Sequence, residues 1–328
     1  MTDFKTIAAS LEERGFCVVP EFLSREEIDF LVADFEASPD YSYPTKTKHA
    51  ARHPGDKPDA AQTGVLRANA TGRREAFQRI GPRMEEFAQG VTGAKAVLYA
   101  ILYTQTPATD LRCHQDHVTF WLTEYDRTHL ISWIPLVKPS RSEAGLHVIP
   151  WDRLREKSPR LFNLCRRSGA SNLHSLRDGG TLYVSDWSGV HWHEENLEVK
   201  EVMETPEMRP GDLLLLSHNT IHATQTTDDR RLAVTLRTCD PETPIDWHRV
   251  AGSPTPAKMR GLATQHQTYF PAFQATQENN FGITLADVLP TLTVASATEN
   301  KVAGYSAFFT QLNKPLQDGL IARTEYRL

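Results

Sequence analysis

The chain has 328 residues, 40% hydrophobic and 23% charged, with a formal net charge of −5; this is enough apolar material for a sizeable core, and it carries no polyanion-binding signature and no run of Lys and Arg interleaved with aromatics, so nucleic acid is not expected as a partner. Four cysteines, Cys17, Cys113, Cys165 and Cys239, have no C-x-x-C spacing and are too few to staple a chain of this length, which removes zinc-finger readings and fits reduced thiols in a cytoplasmic setting. The N-terminal Met1-Thr2-Asp3-Phe4-Lys5 lacks the apolar stretch of a signal peptide, and nowhere do eighteen apolar residues follow one another, so neither export nor a membrane span is expected.

In chain order, a first helix is expected to end at Gly15, a residue suited to a left-handed C-cap, and to be followed by a short strand over Phe16–Pro20. Ser24-Arg25-Glu26-Glu27 has the spacing of a capping box and opens a helix with Ile28, Leu31, Val32 and Phe35 on one face. Residues 39–70 are polar and rich in Pro and Lys; they read as a long loop, either plain surface or a flap over a site, and Lys46, Lys48, Arg52 and Lys57 within it hint at a carboxylate-bearing substrate. A helix over 74–90 carries Phe77, Ile80, Met84 and Phe87 on one side.

From Lys95 the period changes to that of strands, expected near 95–105, 112–122, 128–137, 145–150, 180–186, 199–204, 211–217 and 231–238. So many short strands imply a mainly β, double-sheet jelly roll with flanking helices. An insertion over 151–180 reads as a helix to about Arg167 and then a polar loop, a candidate lid. The expected organisation is one domain, 1–328: a helical flank over 1–94, the β core over 95–240, and an extension over 241–328, with a helix from about Tyr305 to Leu320, packing on the core.

The chemistry centres on Arg112-Cys113-His114-Gln115-Asp116-His117. In a strand, His114 and Asp116 point to one face and can converge on one ion. With a second histidine from a distant strand they make the facial donor set of a non-heme Fe(II) centre; alone, the pair proves little and reads more readily as the polar face of a surface strand. The apolar run Leu213–Leu216 delivers two candidates at its far end, His222 and the competing His218. Arg231-Leu232-Ala233-Val234-Thr235-Leu236-Arg237 alternates strictly, which sets Arg231, Ala233, Thr235 and Arg237 on one face. A guanidinium looking into a barrel needs an anion: a structural Asp or Glu, or a dicarboxylate cosubstrate held by Arg231 with Thr224, and with Thr104 beside them. Tyr103, Gln105, Trp121, Trp187 and His191 are candidate substrate contacts, and His191-Trp192-His193 is a weaker second metal pair.

Gly15-Phe16-Cys17-Val18-Val19-Pro20 and the Leu-Ser-Arg-Glu-Glu helix, His114-Gln115-Asp116, Trp133-Ile134-Pro135-Leu136, Gly145-Leu146-His147-Val148-Ile149-Pro150, Pro210-Gly211-Asp212-Leu213-Leu214 and the His222 to Arg231 pair occur in an order that resembles the phytanoyl-CoA dioxygenase family of Fe(II)/2-oxoglutarate oxygenases. The resemblance runs from about residue 12 to 238. It implies a double-stranded β-helix, iron held by His114, Asp116 and His222, 2-oxoglutarate held by Arg231, and O2 as co-reactant. Relatives that transfer halide have a small residue where this chain has Asp116, so the resemblance implies hydroxylation, or desaturation or ring closure begun by the same C–H abstraction, of a small molecule such as an amino acid or specialised metabolite. Two departures stand out: Pro150-Trp151-Asp152-Arg153 replaces the family's Pro-Gly-Ser-His, and a short His-to-Arg interval leaves Arg230 as a rival to Arg231. The alternatives are a cupin-type metal enzyme that does without 2-oxoglutarate and a non-catalytic jelly-roll binding protein.

Overall fold

The computed structural model describes residues 3–37, 43–46, 63–69, 74–106, 113, 115, 128–167, 172–175, 182–185, 192–195, 197, 199–225, 229–244 and 284–286. Along the chain come α1 (Phe4–Arg14), β1 (Phe16–Val19), α2 (Arg25–Glu36), β2 (Tyr43–Lys46), β3 (Thr63–Asn69), α3 (Arg74–Thr92), β4 (Val97–Thr106), β5 (Leu130–Val137), β6 (Leu146–Val148), α4 (Trp151–Lys157) and α5 (Pro159–Arg167). They are followed by β7 (Asn172–Ser175), β8 (Leu182–Ser185), β9 (Trp192–Glu195), the helical turn α6 (Val199–Val202), β10 (Leu213–Ser217), β11 (His222–Thr224) and β12 (Arg231–Cys239). No helix among the described residues is long and apolar enough to cross a membrane.

A seven-stranded antiparallel sheet, β1-β10-β5-β12-β4-β3-β2, faces a small antiparallel pair, β11-β6; β7-β8-β9 form a separate three-stranded meander. Strand alternation sorts the side chains into layers. One face of the large sheet, with Leu232, Val234 and Leu236 of β12, Ile101 and Tyr103 of β4 and Leu213 and Leu215 of β10, packs against Leu11, Leu31, Phe35, Ile80 and Met84 of α1, α2 and α3. The opposite face supplies Phe16, Ile131, Trp133, Leu214, Leu216 and Ala233, which meet Leu146 and Val148 of β6. Outside the β6-β11 pair, Ile149, Ile221 and Ala223 are covered by Trp151, Leu154, Leu161 and Phe162 of α4 and α5. The result is the mainly β jelly roll with flanking helices that the strand count implies.

Local chemistry explains the element ends. Gly15 stops α1 in the left-handed conformation (φ +77°), its N–H donating to the Leu11 carbonyl. The Ser24 side chain accepts from Glu27 N–H while the Glu27 carboxylate accepts from Ser24 N–H, the reciprocal capping box that starts α2. Burial pushes the Glu27 carboxyl up, but Arg83 and Ser24 together hold it below its ordinary value.

Four expectations are corrected. Residues 199–204 begin as a helical turn rather than a strand: Val199 and Val202, three apart, both enter the α4-α5 layer. The 39–70 segment contains two strands, because β4 uses one edge for β12 and its other edge is available for β3. The 168–180 segment contains β7, paired to β8. The helix expected to Arg167 is two helices, since Ser158 closes α4 on the Leu154 carbonyl and accepts from Leu161 at the start of α5, with Pro159, which lacks an N–H, in the first turn. The 112–122 strand is described only at Cys113 and Gln115, neither of which is in a strand, and the rest of both candidate lids and the 305–320 helix lie outside the described residues.

Candidate active site

The interior between the large sheet and the β6-β11 pair, called the chamber below, is the side toward which β11 and β12 turn His222, Thr224 and Arg231. In β11, His222 pairs with Val148 and Thr224 with Leu146, whose side chains line the chamber, while Ala223 between them turns outward. His222 and Thr224 therefore share the inner face, at 6% and 5% exposure. The His222 Nδ1 lies 3.1 Å from the Thr220 carbonyl. A carbonyl only accepts, so Nδ1 carries the proton, which leaves Nε2 as the ring nitrogen able to bind a metal.

Arg231 opens β12 and is 2% exposed. Its Nη1 donates to the carbonyls of Gln225 (3.2 Å) and Gly145 (3.5 Å). Those two residues also lock the end of the β6-β11 pair, through Gln225 N–H to the Gly145 carbonyl (3.0 Å) and Gly145 N–H to Gln225 Oε1 (2.8 Å). The guanidinium is thus fixed one residue past Thr224. Those two carbonyls fix its direction, and burial lowers its pKa to about 10. A buried, oriented guanidinium beside a hydroxyl fits a dicarboxylate. Lys138, at the end of β5, has its pKa lowered to about 8 by burial and by Arg231, against the opposing pull of Asp212. The rival Arg230 is on the surface, ion-paired with Glu36 at 2.9 Å.

Register fixes the faces of β4. Thr104 is opposite Ala233 and Thr106 opposite Arg231, so Thr104 shares the Arg231 face. Tyr103 and Gln105 are opposite Val234 and Leu232 and belong to the helix-covered side. Tyr103 is a core residue: its ring packs against Phe35 and its hydroxyl donates to Asp34 at 2.8 Å. The expectation that Tyr103 and Gln105 touch substrate is therefore corrected. His114, Asp116, Trp121, Trp187 and His191 lie outside the described residues, and among the described residues no group of three or more metal-binding side chains occurs.

Three contributors escaped the sequence reading. Gln115 is fully buried, its amide donating to the Cys165 carbonyl (3.1 Å) and the Asn219 carbonyl (2.7 Å), which ties the His-X-Asp segment to α5 and to the turn before His222. Its position between His114 and Asp116, the two expected ligands, was the available signal. Gln225 closes the β6-β11 pair, and Trp133 lines the chamber opposite Thr235.

Comparison with known proteins places this arrangement. The family model described as phytanoyl-CoA dioxygenase (PhyH) matches residues 11–233. Among curated proteins none matches. Solved structures with similar chains include the non-heme alpha ketoglutarate dependent epimerase SnoN from nogalamycin biosynthesis (16% identity, 73% of this chain and 82% of that one, TM-score 0.48). They also include a prolyl-4-hydroxylase of Pseudomonas putida (13%, 72% and 98%, TM-score 0.43) and EctD from S. alaskensis (15%, 75% and 79%, TM-score 0.48). The match over 11–233, more than half of the 328 residues, takes in the His-X-Asp segment, His222 and Arg231, and by it the chain belongs to the phytanoyl-CoA dioxygenase family of Fe(II)- and 2-oxoglutarate-dependent oxygenases.

Proposed function

We propose that this oxygenase oxidises a small-molecule substrate, an amino acid or specialised metabolite, by C–H abstraction in the chamber between β11 and β12, with hydroxylation as the outcome that a carboxylate at Asp116 favours. Iron is held by His114, Asp116 and His222, and the distal carboxylate of 2-oxoglutarate by Arg231 with Thr224 and Thr104. Bound together, iron, 2-oxoglutarate and O2 supply the oxidant. The chain's part is to orient: the Thr220 carbonyl sets the His222 tautomer, the Gln225 and Gly145 carbonyls aim Arg231, and Trp133, Leu146 and Val148 keep the chamber dry.

The observation that carries the reading is the common inner face of His222 and Thr224 with Arg231 fixed beside them by the Gln225 carbonyl. Cys113 packs in the α4-α5 layer and Gln115 donates to the Cys165 carbonyl of α5, which supports a segment anchored on that side. His218 is engaged elsewhere, stacked on His129, which supports His222 as the third ligand. Trp121, Trp187 and His191 stay as proposed substrate contacts. One domain, 1–328, is the matching organisation: Leu285 and Ala286 donate to the Thr243 and Pro241 carbonyls just past β12, which supports an extension packed on the core.

The test is anaerobic addition of Fe(II) and 2-oxoglutarate, watching for the weak visible charge-transfer band of the chelate. His114→Ala, Asp116→Ala and His222→Ala are each expected to abolish the band and turnover with the fold retained, and His218→Ala to keep both. Loss in His218→Ala with activity in His222→Ala would move the ligand role to His218. A parent protein with neither band nor succinate release would refute the oxygenase assignment of this site.

A further inference from the structure

The register of the large sheet sets a second cation beside Arg231. Val137 of β5 and Leu232 of β12 face each other, and both pack on the helix-covered side. One step further along each strand are Lys138 and Arg231, so alternation turns both to the opposite side, level with each other. Residues opposed in this way have Cβ atoms about 5 Å apart, and Arg231 is among the charges that act on the half-buried Lys138 ammonium. The two also share a support. Lys138 Nζ donates to the Arg141 carbonyl (3.1 Å) and Arg231 Nη1 to the Gly145 carbonyl (3.5 Å), both in the β5–β6 connection, which Gln225 Nε2 fastens through the Ser142 carbonyl (3.0 Å).

Lys138 has carboxylates around it, each engaged with another group. Asp212, just before β10, accepts from Glu21 N–H (2.8 Å) with one oxygen and from Arg209 N–H (2.6 Å) with the other. Glu143 of the β5–β6 connection accepts from the Ser140 hydroxyl (2.7 Å), and Glu207 lies 4.0 Å from Arg141 Nε. These three and Arg231 are the charged groups that act on Lys138. Among the described residues its ammonium makes one hydrogen bond, to the Arg141 carbonyl, and no ion pair, which leaves two of its three N–H groups for a ligand. An ammonium partly removed from water beside a guanidinium is unfavourable, and a carboxylate placed between the two offsets both the desolvation and the repulsion.

We propose that Lys138 is the second cation of the cosubstrate site, its ammonium taking the distal carboxylate of 2-oxoglutarate together with Arg231. This rests on the assignment of Arg231 as the anchor and adds to it a residue whose charge, unlike that of a guanidinium, can be lost in weakly alkaline solution. Without the carboxylate, burial and Arg231 bring the Lys138 pKa to about 8. With the carboxylate bound the charged form is favoured and the proton is kept to higher pH. Affinity for 2-oxoglutarate is therefore full below the lower value and falls as pH rises above it, because binding must then take up a proton.

The test is anaerobic titration of the Fe(II) protein with 2-oxoglutarate at pH 7 and at pH 9, read by the visible band of the chelate. In the parent the half-saturating concentration is expected to rise roughly fivefold or more from the lower pH to the higher. 2-Oxopentanoate, the same chain without the distal carboxylate, should change by less than about twofold. Lys138→Gln should need on the order of tenfold more 2-oxoglutarate than the parent at pH 7 and lose the pH dependence, with Fe(II) affinity unchanged as its folding control. Lys138→Arg, whose charge is permanent, should bind 2-oxoglutarate near the parent's affinity at pH 7 and keep that affinity at pH 9. Equal half-saturation of the parent at both pH values, the same rise with 2-oxopentanoate, a Gln variant that keeps the parent's rise, or an Arg variant that behaves as the Gln variant would each overturn the proposal. Two results would remove what it rests on, and they are distinct from these: absence of the band in the parent sinks the oxygenase reading, and an Arg231→Ala protein with the parent's half-saturation at pH 7 moves the anchor away from both cations.

Discussion

Arg231 is where sequence and structure agree most closely on a single side chain. Alternation put it on the barrel face, and the structure adds the reason it cannot wander, two carbonyls that accept from one nitrogen. If Arg231 holds 2-oxoglutarate as proposed, Arg231→Ala removes a charge-assisted pair worth roughly 1.5 to 3 kcal/mol, so the 2-oxoglutarate needed for half-saturation should rise by on the order of ten- to a hundredfold while Fe(II) affinity stays near the parent's. Arg231→Lys should recover part of this, having a point charge in place of a fork. Unchanged 2-oxoglutarate dependence would place the anchor elsewhere. Lys138 makes a separate prediction. Its folded pKa, about 8, lies below the ordinary lysine value because burial disfavours the charged form. The unfolded chain therefore binds more protons than the folded one between that value and the ordinary one, and this residue's contribution to stability rises with pH across the window. Lys138→Gln should melt above the parent at pH 7, and the difference should shrink by pH 9.5; a constant difference would show that the ammonium is not strained by burial.

At the scale of elements, Gly15 does more than end α1. A Cβ there would lie 2.6 Å from Trp151 Cε2 and 2.8 Å from Thr220 Oγ1, on top of the positive φ. The Gly15 carbonyl also accepts from Ser217 N–H and the Thr220 hydroxyl, and Thr220 is the residue that orients His222. Gly15→Ala should therefore cost more than about 2 kcal/mol in thermal or urea unfolding and weaken Fe(II) binding with it. Ser24→Ala, which loses only the α2 cap, should cost about 1 kcal/mol and leave Fe(II) affinity alone. Equal effects on iron in the two variants would contradict the link through Thr220. Both glycine cap and capping box were legible because they are short-range chemistry, complete within four residues. So was the face of β12, where polar and apolar residues alternate. The face of β4 was not: Tyr103 and Thr104 are both compatible with a pocket, and only the register Val234↔Tyr103, set by a strand far along the chain, decides between them. Strands β3 and β2 were equally hidden, since what makes them strands is the available edge of β4, to which β3 and then β2 add, and not their own composition. The pair β7-β8 was seen by half, for β8 has the β-branched and aromatic residues and β7 has Asn, His and Ser.

For the molecule as a whole, the position of β12 has a consequence in time. The large sheet consists of β1-β10-β5 on one side and β4-β3-β2 on the other, joined through β12, whose Leu232 pairs with both Gln105 and Val137. Every other strand of that sheet leaves the ribosome earlier, so a growing chain holds two half-sheets, each with a bare edge, until the segment after Arg231 arrives to insert between them. Such distant pairing is slow, and contacts made in the last step are absent from the transition state. Val234→Ala, at a fully buried position of β12, should cost roughly 2 kcal/mol and appear as faster unfolding with refolding almost unaltered; slowed refolding would mean that β12 docks early. On the proposed assignment the same strand brings the cosubstrate anchor. A nascent chain that has already made its proposed histidine and aspartate donors would then lack the residue that retains 2-oxoglutarate, and oxidative chemistry could not begin until the sheet has closed around it.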